Sequence, residues 1–450
     1  DHHLLLLQNY LEDILILLTC FAFLRYINNY MKIAILGSGG REHAIVHQIS
    51  KSKKTSKIYC IPGNAGTESL AENINLNLDN FEEIYNFIKK KNIDLVIVGP
   101  EKPLVNGITD FLNGKNILVF GPSKKVSQFE GSKTFTKNIC KKYNIPTAKF
   151  EILKNSEEST EYLKNVNFPI VIKADGLAAG KGVYICKDFE SAKEAVDEIF
   201  NGKFGVADQI VIEEFLEGEE MSFFIISDGN TYKKFNTAQD HKRVGAGDTG
   251  KNTGGMGAYS PSGLINNKLE EKIIEKIINP TLRAINDENE KYIGFLYAGL
   301  MIKDNEPFLI EYNVRMGDPE CQTILPLLKS DFLDIILACC NGKLDQIEID
   351  WENKKSLCIV LCSKGYPDQY EKNIEIENLK KINTDNNNFI FHAGTLSKNE
   401  TIFANGGRVL NFVSISDEYS KSRTEVIEKI EKLDWKNGFY RSDIGFKVIK

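Results

Sequence analysis

No Cys-x-x-Cys pair occurs in this 450-residue chain, although cysteine stands at positions 20, 60, 140, 186, 321, 339, 340, 358 and 362. An odd number of cysteines without that spacing argues against a disulfide framework or a structural zinc, and a reducing compartment fits best. The vicinal Cys339-Cys340 pair ends the apolar run IILACC and reads as a buried helix face. There is no Gly-x-Ser-x-Gly elbow, reactive-cysteine signature or paired metal-hydrolase motif, so covalent hydrolysis lacks support. A basic stripe is also missing: Asp and Glu outnumber Lys and Arg by 62 to 56, which removes the electrostatic footprint of a nucleic-acid binder. Long uninterrupted apolar runs are absent too. The clusters LLLL (4–7) and ILILLTCFAFL (14–24) are broken by Glu12 and Asp13, short of the about 20 apolar residues a spanning helix needs. They lack the positive leader and small-residue cleavage site of a secretory signal.

What remains is ordinary globular composition, 42% hydrophobic and 26% charged, long enough for roughly three domains. The chain starts at Asp1, and an autonomous-looking start, MKIAILGSGG, sits at Met31. Residues 1–30 are expected to be an upstream translation or partial targeting extension outside the fold. The expected location is cytoplasmic, with an organelle address left open by that extension.

From Met31 the pattern KIAIL, a glycine cluster, the amphipathic REHAIVHQISKS and then IYCIPG reads as strand, turn, helix, strand. A helix near 80–91 and the strands DLVIVGP (94–100) and ILVFGP (117–122) extend it to an open parallel sheet, with ligands expected beyond the strands' carboxyl ends. A helix over 131–144 leads to FPIVIKADGLAAGKGVYIC (168–186), which reads as strand, glycine-rich loop, strand. It is not a Walker loop, because Gly180-Lys181-Gly182 runs into β-prone VYIC rather than a helix; a hairpin folding over a ligand is the better reading. A helix at 189–201 and the strands QIVIEEFL (209–216) and EMSFFIIS (220–227) complete an α+β segment. The stretch 238–261 has six glycines and no periodicity, and it is expected to be a long functional loop carrying Asp240, His241, Lys242 and Arg243. Helices around 267–287 and strands at 296–302 and 307–313 close the central part, and the tail from about 356 reads as a small α+β cap.

Glu311 and Asn313 lie two apart on the strand FLIEYN, so their side chains share a face, and two oxygen donors a strand-step apart suit magnesium. An isolated Glu-x-Asn is usually a solvated polar face, but VRMGDPE (314–320) adds Arg315, Asp318 and Glu320 beside a glycine turn. Lys173 follows the apolar run PIVI, where an ammonium group needs an anion, and a nucleotide phosphate is the obvious candidate. Lys181 supplies a second positive charge, and small residues of the loop let backbone amides approach phosphate oxygens. Glu213 and Glu220 sit where a strand end could meet adenine and ribose. In GSGGREHA (37–44) position 42 is Glu rather than the third glycine of a dinucleotide fingerprint, which disfavours NAD. The glycine turn still makes a phosphate site at a helix start, to which Arg41 could add a bidentate contact. His43 and His47 have metal-ligand spacing but no third partner, and packing or exposure is expected.

These blocks, with PGNAGT (62–67), VGPEKPLVNGI (98–108), GPSKKVSQFEGSK (121–133), GFLYAGLM (294–301), VRMGDPECQ (314–322) and FHAGT (391–395), resemble the phosphoribosylamine–glycine ligase family of the ATP-grasp superfamily, in order over about 31–450. The resemblance implies an α/β and α+β multidomain protein: an N-terminal sugar-phosphate-binding α/β domain (31–132), a two-lobe ATP-grasp module (133–355, small lobe about 150–220) and a C-terminal α+β domain (356–450). It implies ATP-dependent ligation of glycine to 5-phosphoribosylamine through glycyl phosphate in purine synthesis, with Mg2+ or Mn2+, by a monomer or weak homo-oligomer that needs neither nucleic acid nor membrane. By resemblance, ATP would be held by Lys133, Lys173, Gly176, Gly180, Lys181, Gly182, Glu213, Leu216 and Glu220, and the metal by Glu311 and Asn313. The sugar substrate would lie near Gly39, Gly40, Arg41, Pro62, Gly63, Asn64 and Glu101, with Arg315, Asp240 and His241 positioning substrates or binding the glycine carboxylate. Met316, Cys321 and Lys251 replace the family's usual Phe, Thr and Pro. The same fold ligating another acid or amine, an NAD-dependent oxidoreductase and a non-catalytic nucleotide-binding regulator are the competing readings.

Overall fold

The computed structural model describes residues 30–177 and 182–449; the positions Gly180 and Lys181, and all but the last residue of the expected 1–30 extension, lie outside them. The apolar runs of β1 (Met31–Gly37), β2 (Thr55–Pro62), β3 (Glu72–Asn73), β4 (Leu95–Val98) and β5 (Leu118–Phe120) pair in the order β3-β2-β1-β4-β5, every pairing parallel. Ile33–Leu36 and Leu95–Val98 are wholly buried, as strands covered on both faces must be. The chain winds outward from β1 to β3 on one side and through β4 and β5 on the other. The switch point therefore falls between β1 and β4, whose carboxyl ends carry Gly39 to Arg41 and Glu101.

The small lobe is an antiparallel sheet, β6-β9-β7-β8, made of β6 (Phe150–Leu153), β7 (Ile170–Ala174), β8 (Val183–Cys186) and β9 (Ile210–Glu214). The helices Ser156–Leu163 and Phe189–Phe200 cover it, capped by Asn155 and Asp188, whose side chains accept the N–H of Glu158 and Ser191. Its core, including Leu153, Leu163, Ile172, Val196, Ile199 and Ile212, is separate from the two clusters that bind the rest of the protein together. The lobe thus coheres by its own packing.

Beyond it come β10 (Glu219–Asp228), β11 (Tyr232–Lys234), β12 (Gln239–Asp240), β13 (Arg243–Gly245), β14 (Thr249–Asn252), β15 (Gly257–Ser260), β16 (Ile293–Lys303) and β17 (Glu306–Asn313). β11-β10-β16-β17 form the four-stranded floor sheet of the central part. The tail adds β18 (Lys355–Ser363), β19 (Ile374–Glu375), β20 (Asn388–His392), β21 (Thr395–Lys398), β22 (Thr401–Ala404), β23 (Arg408–Ser416) and β24 (Gly438–Phe439), with the helix Tyr419–Leu433 packed on β18 and β23.

The stretch 238–261 departs from the expected loop: it holds β12 to β15, and β15 is the strand through which the central part joins the tail, in the sheet β12-β15-β18-β23-β20. No periodicity announced it because close approach, not an apolar face, selects its residues. A Cβ on Gly257 would lie 2.5 Å from the Cys358 carbonyl oxygen, and its φ is +155°. Among the described residues every cysteine is unpaired, and no helix is long and apolar enough to cross a membrane.

Candidate active site

A cleft of about 840 Å3 runs between the small lobe and the floor of β16 and β17, and on toward the switch point and the tail. Lys173, Gly176, Gly182, Glu213 and Leu216 line it on the lobe side, and Lys133, Glu220, Glu311, Asn313, Arg315, Asp240, Arg41 and Glu101 on the other. Val171, Ile185, Phe215 and Met301 give it an apolar flank.

Lys173 does have an anion to meet, but within the chain. Its Nζ lies 3.0 Å from Glu213 Oε2, whose Oε1 is 3.1 Å from Lys137 Nζ, and all three residues are buried. Burial would raise the Glu213 carboxyl, yet Lys173 and Lys137 hold it below the usual carboxylate range. Lys173 Nζ also donates to Ile310 O (3.3 Å), which ties the lobe to β17. Glu213, expected near adenine and ribose, is first a counter-charge for two lysines, and the trio carries a net positive charge toward the cleft.

On β17 the alternation of strand side chains brings Glu311 and Asn313 into the cleft together. Glu311 accepts no hydrogen bond among the described residues, and its one ion pair, with Lys242 Nζ, is long at 3.9 Å. Burial would raise its carboxyl, but Lys242, then Lys173 and Lys133, keep it below the usual range and ionised. A hard cation finds two uncommitted oxygen donors there, few enough for phosphate and water to supply the remaining ligands. Among the described residues no three or more His, Cys, Asp and Glu form a self-contained metal cage. Lys242 also pairs with Glu220 at 2.8 Å, so one ammonium bridges the carboxylates of β10 and β17.

At the switch point Arg315 is clamped by two carboxylates, Nε to Glu101 Oε2 (3.2 Å) and Nη2 to Glu130 Oε1 (2.6 Å), while Nη1 donates to Met316 O. Arg315 holds the Glu101 carboxyl down at about 2, whereas burial pushes Glu130 up to about 7 against the pull of the same guanidinium. With one N–H on each of three nitrogens engaged, two of the five guanidinium donors have no partner among the described residues. Asp318 accepts from Gln322 Nε2 (2.6 Å) and pairs with Arg408 from β23 (3.3 Å). Among the described residues Asp240 Oδ1 is buried without a hydrogen-bond partner, and burial followed by the nearby Glu320 pushes its carboxyl well above the usual range.

The models of the phosphoribosylglycinamide synthetase N domain, ATP-grasp (A) domain and C domain match residues 31–130, 131–321 and 356–447. The chain belongs to the phosphoribosylglycinamide synthetase family. Phosphoribosylamine–glycine ligase of Brucella melitensis biotype 1 is 44% identical over 421 residues, 93% of this chain and 99% of that protein. The chloroplastic phosphoribosylamine–glycine ligase of Arabidopsis thaliana is 44% identical over 91% of this chain and 79% of its own length. The crystal structure of the Thermotoga maritima ligase superposes with a TM-score of 0.81 at 35% identity, covering 92% of this chain and all of that one. A biotin carboxylase domain from Hydrogenobacter thermophilus shares the fold at a TM-score of 0.70 and 16% identity, over 89% of this chain and 90% of that one.

Within this ATP-grasp ligase fold some expected residues stand apart from the cleft. His241 is 2% exposed and points away from it, since the residue after Asp240 faces the other side of the strand. Its Nε2 accepts the Gly445 N–H (3.3 Å), its ring packs against Tyr259 and Phe446, and burial lowers it to about 4, so it is a neutral packing residue. Gly39, Gly40, Pro62, Gly63 and Asn64 do not line the cleft either. The Gly39 N–H is already given to Glu42 Oε2 (2.6 Å), the residue that takes the place of a third fingerprint glycine, and Arg41 Nε pairs with Glu42 Oε1 (2.6 Å). Gly40 abuts Asn411 and Gln322, and Asn64 Nδ2 bonds to Ser38 O and His392 O, fastening the N-terminal sheet to the tail. His43 packs between Phe391 and His392, as its lack of a third metal partner led one to expect.

Sequence reasoning gave no site role to Lys137, Glu130, Lys242 or Arg408. Lys137 was within reach, lying four residues after Lys133 on one helix and hence on the same face. Glu130 stood inside a quoted block, and Lys242 was named only as one charge of an expected functional loop. Arg408 had no local signal, because its partners Gly254 and Asp318 are remote in sequence. The replacement Lys251 is exposed and pairs with Asp368 (2.8 Å), while Met316 and Cys321 are buried.

Proposed function

We propose that the chain joins glycine to 5-phosphoribosylamine at the expense of ATP, giving glycinamide ribonucleotide, ADP and phosphate in purine biosynthesis. The observation that carries this is one cleft joining a lysine-lined nucleotide slot, the Glu311–Asn313 oxygen pair and the Arg315 clamp, in a chain matched across all three parts of the family. The base lies on the apolar flank near Leu216, with Glu220 toward the ribose and Lys133 and Lys173 toward the phosphates. Glu311 and Asn313 would hold Mg2+ or Mn2+, which would offset phosphate charge during transfer.

A carboxylate oxygen of glycine, steered by the free donors of Arg315, attacks the γ-phosphorus, and ADP leaves. The resulting glycyl phosphate is a mixed anhydride. The amine of 5-phosphoribosylamine attacks its carbonyl carbon, the C–O bond to phosphate breaks, and the amine sheds a proton as the amide forms. The sugar phosphate faces the switch-point crevice, where Arg41 and Glu101 line the cleft. Positioning and charge neutralisation supply the catalysis, so no protein nucleophile is required. The purified chain should release ADP only when ATP, magnesium, glycine and freshly generated phosphoribosylamine are all present; ADP release indifferent to glycine would overturn the assignment.

A further inference from the structure

We propose that Asp175 is a positioning residue for the phosphoryl donor: from the joint between lobe and body its carboxylate fixes where Lys133 and Gly176 stand at the nucleotide. The proposal rests on the ATP-grasp reading of the cleft. Asp175 directly follows β7, and its two oxygens collect donors from both bodies. Oδ1 accepts the N–H of Lys133 (2.7 Å), Thr134 (3.3 Å) and Gly176 (3.0 Å). Oδ2 accepts Ser132 Oγ (3.2 Å), Thr134 Oγ1 (2.8 Å) and Gln209 Nε2 (3.0 Å). A carboxylate offers about four lone-pair sites, so this one is saturated.

Ser132 to Thr134 open the helix Lys133–Tyr143, whose Ile139 and Cys140 belong to the body's core, whereas β7 and Gln209, just before β9, belong to the separately cored lobe. Asp175 is therefore a charged rivet between two independently packed units. Lys133 is tied at both ends to consecutive residues: its backbone N–H to Asp175, and its Nζ to the Gly176 carbonyl at 2.9 Å. Gly176 has φ +88°, a backbone conformation that favours glycine, and among the described residues a Cβ there would meet nothing within 4 Å. Without the carboxylate, the lobe end of β7 and the ammonium of Lys133 lose their common reference. Hydrogen bonding to the charged form also holds Asp175 below the usual carboxylate range against the effect of burial.

The test is Asp175→Asn, which keeps the shape but sets an amide NH2 among N–H donors. Loss of charge-assisted hydrogen bonds should lower kcat/KM for ATP by about tenfold to a hundredfold, with KM for glycine within about twofold. In a cycle with Lys133→Met, the double variant should be no worse than Lys133→Met alone by more than about threefold, because the two changes remove one function. Unchanged ATP kinetics in Asp175→Asn, equal losses toward ATP and glycine, or additive effects in the cycle would each overturn the proposal. If Asp175→Asn is recovered unfolded, Thr134→Val decides by the same criterion, since it deletes one donor and keeps the carboxylate. Should the unsubstituted chain show no glycine-dependent ADP release, the ligase reading fails by itself, and calorimetric ATP binding to the same variants still judges Asp175.

Discussion

Glu213→Gln probes the charge arrangement of the nucleotide slot most directly. The substitution preserves volume but leaves the Lys137 and Lys173 ammonium groups, each about 5% exposed or less, facing one another without their shared counter-ion. Breaking one partner out of a buried ion pair costs about 3–5 kcal/mol. An independent ceiling follows from proton release, because a lysine can escape by deprotonating. From a pKa of about 10.4 to pH 7, at roughly 1.4 kcal/mol per unit, that costs about 5 kcal/mol. The two figures agree, and the second adds a signature. A lysine whose folded pKa has dropped binds fewer protons than in the unfolded chain, so stability rises with pH between the two values. Raising the pH from 7 to 9 should recover about 3 kcal/mol in Glu213→Gln relative to the unsubstituted protein. Thermal melting of both at pH 7, 8 and 9 reads this, and adding Lys137→Met to Glu213→Gln should restore most of the loss at pH 7. A melting gap that is small at pH 7, or that fails to close by pH 9, would refute the reasoning.

Glu311→Gln should lower turnover by about a hundredfold or more through loss of the charged cation ligand, with the melting temperature little changed; steady-state ADP release checks it. Glu101 is held at about 2 by Arg315, so its contribution is present above the unfolded value and lost as pH falls toward the folded one. The stability difference between the unsubstituted protein and Glu101→Gln should thus shrink by about 1 kcal/mol between pH 6 and pH 3.5, followed by melting at each pH. His241→Leu should lower stability by about 1–3 kcal/mol by stranding the Gly445 N–H, while KM for ATP and for glycine stay within about twofold. A large rise in either KM would return His241 to the substrate site.

Local rules were enough wherever one element carried the information. Alternation along FLIEYN placed Glu311 and Asn313 on one face, and Glu42, read where a third fingerprint glycine would stand, is the residue that takes the Gly39 N–H. The failures share a physical cause, contact between segments far apart in sequence. Lys173 also meets Glu213 of the neighbouring strand β9, and nothing in PIVIK says which strand will lie alongside. The glycine-rich stretch 238–261 was opaque because β15 is chosen for what it touches, the backbone of β18. His241 stands beside Asp240, yet a single step along a strand reverses the face and leaves it off the cleft wall.

The hydrogen-bonded ladder from β15 to β18 has a consequence for cutting the chain. Severing it near residue 355 would strip four rungs and leave two raw strand edges, Gly257–Ser260 on one fragment and Lys355–Ser363 on the other, each a template for aggregation. Neither the catalytic half nor the tail is then a self-sufficient folding unit, and separately expressed halves should be insoluble until mixed. The small lobe, whose apolar interior is closed on itself, is the piece that would survive excision.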